Sequence, residues 1–111
     1  MPTEIVLLSD IEPDSELLVR AGAVDHPNGR LIDYYDGQIR QIIDEAGNVV
    51  LSVYRSRPVV VTRESAAAIR SAPTAFNLWT DMTIAYGDPS LGRALAESIA
   101  AAVGGAIKDR I

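Results

Sequence analysis

The single histidine of the sequence, His26, is the first residue whose type suggests chemistry. It lies in the segment Asp25-His26-Pro27-Asn28-Gly29, and an imidazole that titrates near neutral pH can serve as a general base. The sequence places no nucleophile near it, and the adjacent Asp25 need not orient the ring. A lone histidine in a turn-rich loop is usually a surface residue, so we predict no catalytic role for His26 on its own.

The segment Asp33-Tyr34-Tyr35-Asp36 holds two carboxylates beside two phenols. Carboxylates that are buried together can separate their pKa values and perform acid and base chemistry. Because side chains alternate along a strand, Asp33 and Tyr35 are expected on one face and Tyr34 and Asp36 on the other. The two carboxylates then diverge, and we interpret the segment as a strand end whose tyrosines lie half on the core.

Several kinds of site are excluded by residue types that the sequence lacks. The chain has no cysteine, so disulfides, thiolate nucleophiles and zinc sites that need sulfur are ruled out. One histidine cannot form a multi-histidine metal site within one chain. The two glycine-rich phosphate-binding motifs, G-x-G-x-x-G and G-x-x-x-x-G-K-[ST], do not occur. No serine lies in a G-x-S-x-G elbow. We therefore predict no catalytic residue, no metal ligand and no cofactor.

Aromatic and arginine side chains are the remaining candidates for binding. Trp79, the only tryptophan, lies between the polar residues Asn77 and Asp81 on the less apolar face of a predicted strand. An exposed tryptophan there would anchor a protein partner, whereas a helix covering that face would bury it, and both alternatives stay open. The predicted partner-binding residues are Asp33, Tyr34, Tyr35, Asp36, Arg55, Arg57 and Trp79.

Acidic residues are concentrated in the first third of the chain. Residues 1–36 carry eight acidic and two basic residues, and residues 37–71 carry three acidic and five basic residues. The formal net charge is −5, and a domain with a pI of about 4.7 is not suited to binding nucleic acid. An acidic surface favours a basic protein partner, such as a basic toxin or secreted protein.

The length of 111 residues fits a single α+β domain spanning residues 1–111. Acidic residues flank the short apolar run near the start, unlike the pattern of a secretory signal. The longest uncharged stretch near the end, residues 98–107, is shorter than the about 20 residues that a membrane-spanning helix needs. We therefore expect a cytoplasmic protein that does not bind a membrane.

Periodicity and turn residues predict an α+β fold with the order β-α-β-β-β-β-α-β-α. We expect a mainly antiparallel sheet of four to six strands with two or three helices packed on one face. Strands are predicted over residues 3–9, 31–35, 38–44, 49–55, 59–62 and 76–86, and helices over residues 13–21, 63–71 and 89–103. Residues 13–21 also alternate as a strand would, so that helix is one of two interpretations.

Glycines mark several predicted boundaries and contacts. Asp36-Gly37 favours a hairpin turn, Gly22 is expected to end the first helix, and Gly104 the last. Leu91 is assigned to the apolar stripe of the last helix. A row of small residues on that helix allows a close approach to the sheet or to another helix. Homodimerisation through this row, or through the strand at 76–86, is a further hypothesis.

Two functional hypotheses follow. The first is a non-enzymatic protein-binding module, an immunity- or antitoxin-type inhibitor or a small secretion chaperone, because composition and element order are similar to those of such proteins. The alternative is a small ligand-binding domain or enzyme. Its pocket for an anionic substrate would lie around His26, Tyr34 and Arg40 or Arg55, at a homodimer interface in one version.

Overall fold

The computed structural model describes residues 3–58, 77–84 and 89–110, which form one antiparallel sheet and two helices. The strands are β1 (Thr3–Ser9), β2 (Arg30–Tyr34), β3 (Ile39–Ile43), β4 (Val49–Tyr54), β5 (Arg57–Pro58), β6 (Leu78–Ile84) and β7 (Ala106–Asp109), and the helices are α1 (Ser15–Asp25) and α2 (Ser90–Val103). The antiparallel α+β class predicted from the sequence is confirmed.

Six strands lie side by side in the order β2-β3-β4-β6-β1-β7, and the short β5 pairs with β6 beyond the end of β4. The seven strands exceed the predicted range by one, because β7 follows α2 and pairs with β1. The predicted order lacked this last strand. β1 is buried on both faces, as its unbroken apolar run predicts.

Both described helices pack on the same face of the sheet and contact each other. Ile5 and Leu7 of β1, Leu51 of β4 and Met82 of β6 meet Leu18 of α1 in the main core. Val6 and Leu8 alternate with these residues along β1, so they face the opposite side of the sheet, and they are also buried. The centre of the sheet is thus covered on both faces.

Helix α1 begins at Ser15 and ends at Asp25, so the predicted bounds of 13–21 are wrong at both ends. Asp14 caps the helix, and its carboxylate accepts a hydrogen bond of 2.8 Å from the backbone amide of Leu17. Gly22 does not end the helix but lies within it, on the side that approaches the sheet closely. A Cβ on Gly22 would lie 3.0 Å from Cγ2 of Ile42.

Helix α2 ends at Gly104, whose φ of 66° places it in the left-handed region, as predicted. Pro89 is the residue before the first helical residue and not the first residue of the helix. Leu91 is 57% exposed, so its assignment to the apolar stripe is wrong.

The row of small residues on α2 approaches the sheet of the same chain. Gly92, Ala96 and Ala100 are buried, and a Cβ on Gly92 would lie 2.6 Å from Cγ2 of Ile84. β6 has paired strands on both sides. In the described residues, this row therefore packs on the sheet of its own chain and both edges of β6 are paired, while the predicted homodimer contacts stay a hypothesis.

The strands predicted at 31–35, 38–44 and 49–55 are confirmed as β2, β3 and β4, with ends that differ by at most one residue. β5 lies in the interval between the predicted strands 49–55 and 59–62, with Arg57 opposite Trp79 and Pro58 opposite Leu78. The strand predicted at 59–62 and the helix predicted at 63–71 lie outside the described residues. No helix in the described ranges is long and apolar enough to cross a membrane.

The turn between β3 and β4 is held by the carboxylate of Asp44. Its Oδ1 accepts hydrogen bonds from the backbone amides of Asn48, at 2.8 Å, and Ala46, at 3.0 Å. The bond from Asn48, followed by smaller effects that include the bond from Ala46, lowers the pKa of Asp44 below 3.8. The folded state therefore favours the ionised form of this side chain.

We expect Asp44→Asn to lower the melting temperature at pH 7, because an amide cannot replace the charged acceptor. A carboxyl whose pKa is lower in the folded state stabilises the fold at every pH above its pKa in the unfolded state. This stabilisation is lost as the pH falls through the pKa of the folded state. The difference between the two proteins should therefore shrink below the unfolded value of 3.8. Thermal unfolding of the unmodified protein and of Asp44→Asn at pH 7 and at pH 2.5 measures the difference in melting temperature. An equal difference at the two pH values would contradict this account.

Candidate functional site

The β2–β3 hairpin closes with a tight turn whose backbone is unusual for the residues it contains. The amide of Gln38 donates a 3.2 Å hydrogen bond to the carbonyl of Tyr35, and Asp36 and Gly37 between them have φ values of 54° and 84°. This is the geometry that the Asp-Gly pair favours in a two-residue hairpin turn. Tyr35, just before it, also has a positive φ, of 52°, which is rare for a bulky residue.

Two arginines hold this turn from the neighbouring strands. Arg55 lies directly after β4. Its Nη2 donates a hydrogen bond of 2.6 Å to the carbonyl of Asp36, and its backbone amide donates one of 2.9 Å to the carbonyl of Gln38. Arg40 of β3 lies against the turn, since a Cβ on Gly37 would be 2.7 Å from its Nη2. These contacts hold the three residues that follow Tyr35, and the amide of the last of them bonds to the Tyr35 carbonyl.

Three exposed tyrosines surround the turn. Tyr35 is 73% exposed, Tyr34 41% and Tyr54 37%. Tyr34 and Tyr54 both lie opposite Ile39, one on each side of it, so they share a face of the sheet. We call Tyr34, Tyr35, Asp36, Tyr54 and Arg55 the tyrosine tip.

The acidic residue beside the tip faces the other way. Asp33 lies opposite Arg40 in the pairing of β2 with β3, and its Oδ2 is 3.5 Å from Nε of Arg40. Asp36 is in the turn and contacts Arg55 through its carbonyl. The contact of Asp33 is made by its carboxylate and that of Asp36 by its backbone carbonyl, so the two residues are held by different arginines.

Trp79 and Arg57 belong to a separate cluster. Trp79 is 5% exposed, so the exposed alternative is wrong and the residue cannot contact a partner with its ring face. The Arg57 guanidinium lies 5.4 Å from the centre of the indole. The indole Nε1 donates a hydrogen bond of 2.9 Å to Oδ1 of Asp81. The burial of an indole between polar neighbours is explained by these two contacts.

Sequence reasoning missed Asp81 and Arg110 as members of this cluster. Asp81 Oδ1 is 3.3 Å from Nη1 of Arg110, and its Oδ2 is 3.4 Å from Nη2 of Arg57. Trp79 and Asp81 are two residues apart on one strand, which places them on the same face and could have indicated their contact. The position of Arg110 depends on β7, which the sequence pattern did not reveal.

His26 lies at the opposite end of β2 from the tyrosine tip. Its Nδ1 is 3.4 Å from Oε2 of Glu45, and its side chain is 13% exposed. The strand β2 leads from this end to Tyr34 over five residues, which is a distance of about 13 Å. Within one chain, the structure therefore does not bring His26 together with Tyr34, Arg40 or Arg55.

A small cavity of about 80 Å³ lies beside His26, between α1 and β2. Val19 and Ala23 of α1 and Leu31 of β2 are among the residues that line it. We call it the α1–β2 groove. Its lining is mostly apolar, and it is too small to hold a substrate of ordinary size.

No protein-family model, curated protein or solved structure matches this chain. The interpretation of the site therefore depends on the geometry of its residues. Among the residues that the structure describes, no three His, Asp or Glu side chains converge where they could hold a metal ion. The feature that stands out is the tyrosine tip.

Proposed function

We propose that this protein is a protein-binding module and that the tyrosine tip contacts its partner. The observation that carries the proposal is Tyr35, which is 73% exposed on a backbone with a φ of 52°. A left-handed conformation costs an L-residue about 1–2 kcal/mol. Strain of this kind that is held by surrounding contacts occurs most often at functional sites.

The composition of the tip supports binding to a protein. Tyrosine and arginine are the residues most often found at the energetic centre of protein interfaces, and here Tyr34, Tyr35 and Tyr54 lie near Arg55. Because Arg55 and Arg40 fix the turn before any partner arrives, binding would not have to order the loop. This reduces the entropic cost of association.

The charge of the chain favours a basic partner. The protein has a formal net charge of −5, and Asp33, at the tip's margin, is 47% exposed. Complementary charge speeds encounter and discriminates against acidic proteins. A basic toxin or a secreted protein has the required character, so an immunity- or antitoxin-type inhibitor or a secretion chaperone is the kind of binding protein we propose.

The separation of His26 from the tip favours this proposal over an enzyme whose anionic-substrate pocket lies within one chain. The imidazole is paired with Glu45, and the phenols and guanidinium groups of the alternative are at the other end of the hairpin. Arg40 is directed to Asp33 and the turn. These side chains are used in holding the fold, which leaves the exposed tyrosine rings for contact.

We expect Tyr35→Asn to abolish or strongly weaken partner binding while keeping the fold. Asparagine tolerates a positive φ better than tyrosine does, so the variant should unfold at the same or a higher temperature. Removing an aromatic anchor costs about 2–4 kcal/mol of binding free energy, which raises the dissociation constant about 30-fold or more. Capture from native lysate with mass spectrometry identifies the partner, and titration calorimetry then compares the dissociation constants.

The matched control is Val24→Asn, which changes an equally prominent exposed side chain on α1, 79% exposed. Valine and asparagine have similar helix propensities, so this variant should keep both stability and binding. The proposal is wrong if Tyr35→Asn binds the captured partner as tightly as the unmodified protein does.

A further inference from the structure

The outer edge of β2 is unpaired in the part of the chain that the structure describes. β2 is the first strand of the sheet order and pairs with β3 alone. Its five residues show the burial of a strand at an edge, with Arg30, Asp33 and Tyr34 exposed and the two apolar residues between them half-buried. An edge of this length presents backbone groups that can pair with another strand.

The α1–β2 groove runs along the same edge on the helical face. Val19, which lines it, is 54% exposed, and Leu31 of β2 is packed against the core only in part. A strand added to β2 would extend the sheet beneath this groove and cover these apolar side chains. The edge therefore offers both backbone pairing and apolar contact.

We propose that a second copy of this chain pairs with this edge, so that β2 lies antiparallel to β2 of the partner subunit. In the pairing centred on Ile32, Ile32 lies opposite the same residue of the partner. Arg30 then lies opposite Tyr34 of the partner subunit, and Tyr34 opposite the partner's Arg30. A guanidinium over a phenol ring is an attractive contact, and symmetry forms it twice.

The other residues of β2 are compatible with this register. Leu31 lies opposite Asp33 of the partner subunit, and Asp33 is already partnered by Arg40 at 3.5 Å in its own chain. Moving the centre to Asp33 would place two carboxylates opposite each other. Moving it to Leu31 would leave Tyr34 without an opposite strand residue. The register centred on Ile32 therefore pairs all five residues of β2 without repulsion.

The symmetry of this pairing places both copies of α1 on one face of a continuous sheet. A two-fold axis perpendicular to the sheet keeps the helical faces together. Each α1–β2 groove lies at the Arg30 end of its own β2 and is therefore next to the Tyr34 end of the other copy of β2. The paired residues are those of β2, Arg30–Tyr34, so the dimer forms without the proposed partner.

Sedimentation equilibrium of the purified chain tests the proposal without any partner. The chain of 11.9 kDa should show about twice that mass at micromolar concentration. Ile32→Lys places two ammonium groups at the two-fold axis and should give the mass of one chain. The control Leu91→Lys changes an exposed leucine on α2, 57% exposed, and should stay dimeric.

A charge exchange keeps the test decisive if Ile32→Lys does not fold. Tyr34→Arg faces the partner's Arg30 and should raise the dimer dissociation constant about tenfold, because two cation–π contacts are lost. Adding Arg30→Tyr exchanges the two side chains and should restore the dimer. The proposal is overturned if the unmodified chain is a monomer, if folded Ile32→Lys stays dimeric, or if the exchanged pair dimerises no better than Tyr34→Arg alone.

Discussion

Trp79→Ala is expected to lower the free energy of unfolding by about 3–5 kcal/mol, the usual cost of removing a large buried aromatic residue. The indole is 5% exposed. Its loss would leave a cavity and would also remove the contact with Arg57 and the hydrogen bond to Asp81. Denaturant unfolding of both proteins measures the difference.

Trp79→Phe is the matched variant, because it keeps an aromatic ring and removes the indole N–H. Asp81 would retain its contacts with Arg57 and Arg110, so we expect a smaller loss, of about 1–2 kcal/mol. A loss below about 1 kcal/mol for Trp79→Ala would be the value of an exposed side chain. That result would contradict the burial of Trp79 and return it to the set of partner-binding candidates.

Gly92→Val is expected to lower the free energy of unfolding by about 3 kcal/mol, at the upper end of the range for an overfilled core. A Cβ at this position would lie 2.6 Å from Cγ2 of Ile84 and 2.8 Å from the carbonyl oxygen of Val50. The second contact is with backbone and cannot be relieved by a rotamer change. Helix α2 would have to move away from the sheet.

The control for this substitution is Ala94→Val in the same helix, where the side chain is exposed. It changes helix propensity by about 0.5 kcal/mol and introduces no clash. Equal losses from Gly92→Val and Ala94→Val would show that α2 does not approach the sheet closely. Thermal and denaturant unfolding distinguish the two outcomes.

Local signals predicted the part of the fold that local chemistry determines. The apolar run at 5–8 predicted β1, and the Asp36-Gly37 pair predicted a turn in which both residues have a positive φ. Gly104 marked the end of α2. At each of these positions, the residue type has a backbone or burial preference that does not depend on distant parts of the chain.

The errors occurred where a distant contact overrides a local preference. Gly22 would end a helix in isolation, but here its missing side chain lets α1 contact Ile42. β7 is four residues long, too short to show a period, and exists because it pairs with β1. Trp79 lies between polar residues in sequence, yet Asp81 satisfies its N–H and allows it to be buried.

Four residues of the tyrosine tip, Tyr34, Tyr35, Asp36 and Arg55, were among the partner-binding candidates, and their binding role stays a prediction; Tyr54 was not in that set, and Arg57 and Trp79 belong to another cluster. Residue types indicated Tyr34, Tyr35 and Arg55 as contact residues, but the alternation expected of a strand does not extend to Tyr35, which has a φ of 52°. That conformation depends on Arg55, which comes from another strand. A sequence shows which side chains are available, whereas the strain that supports a binding role appears only in the folded chain.

Site-specific photo-crosslinking in cells tests the binding role of the tyrosine tip most directly. A benzophenone amino acid would replace Tyr35 in one variant and Val24 in another, since both side chains are prominently exposed, at 73% and 79%. We predict that irradiation gives one discrete crosslinked protein from position 35 and none from position 24. No crosslink from position 35, or the same products from both positions, would contradict the proposal that the tip binds a protein partner.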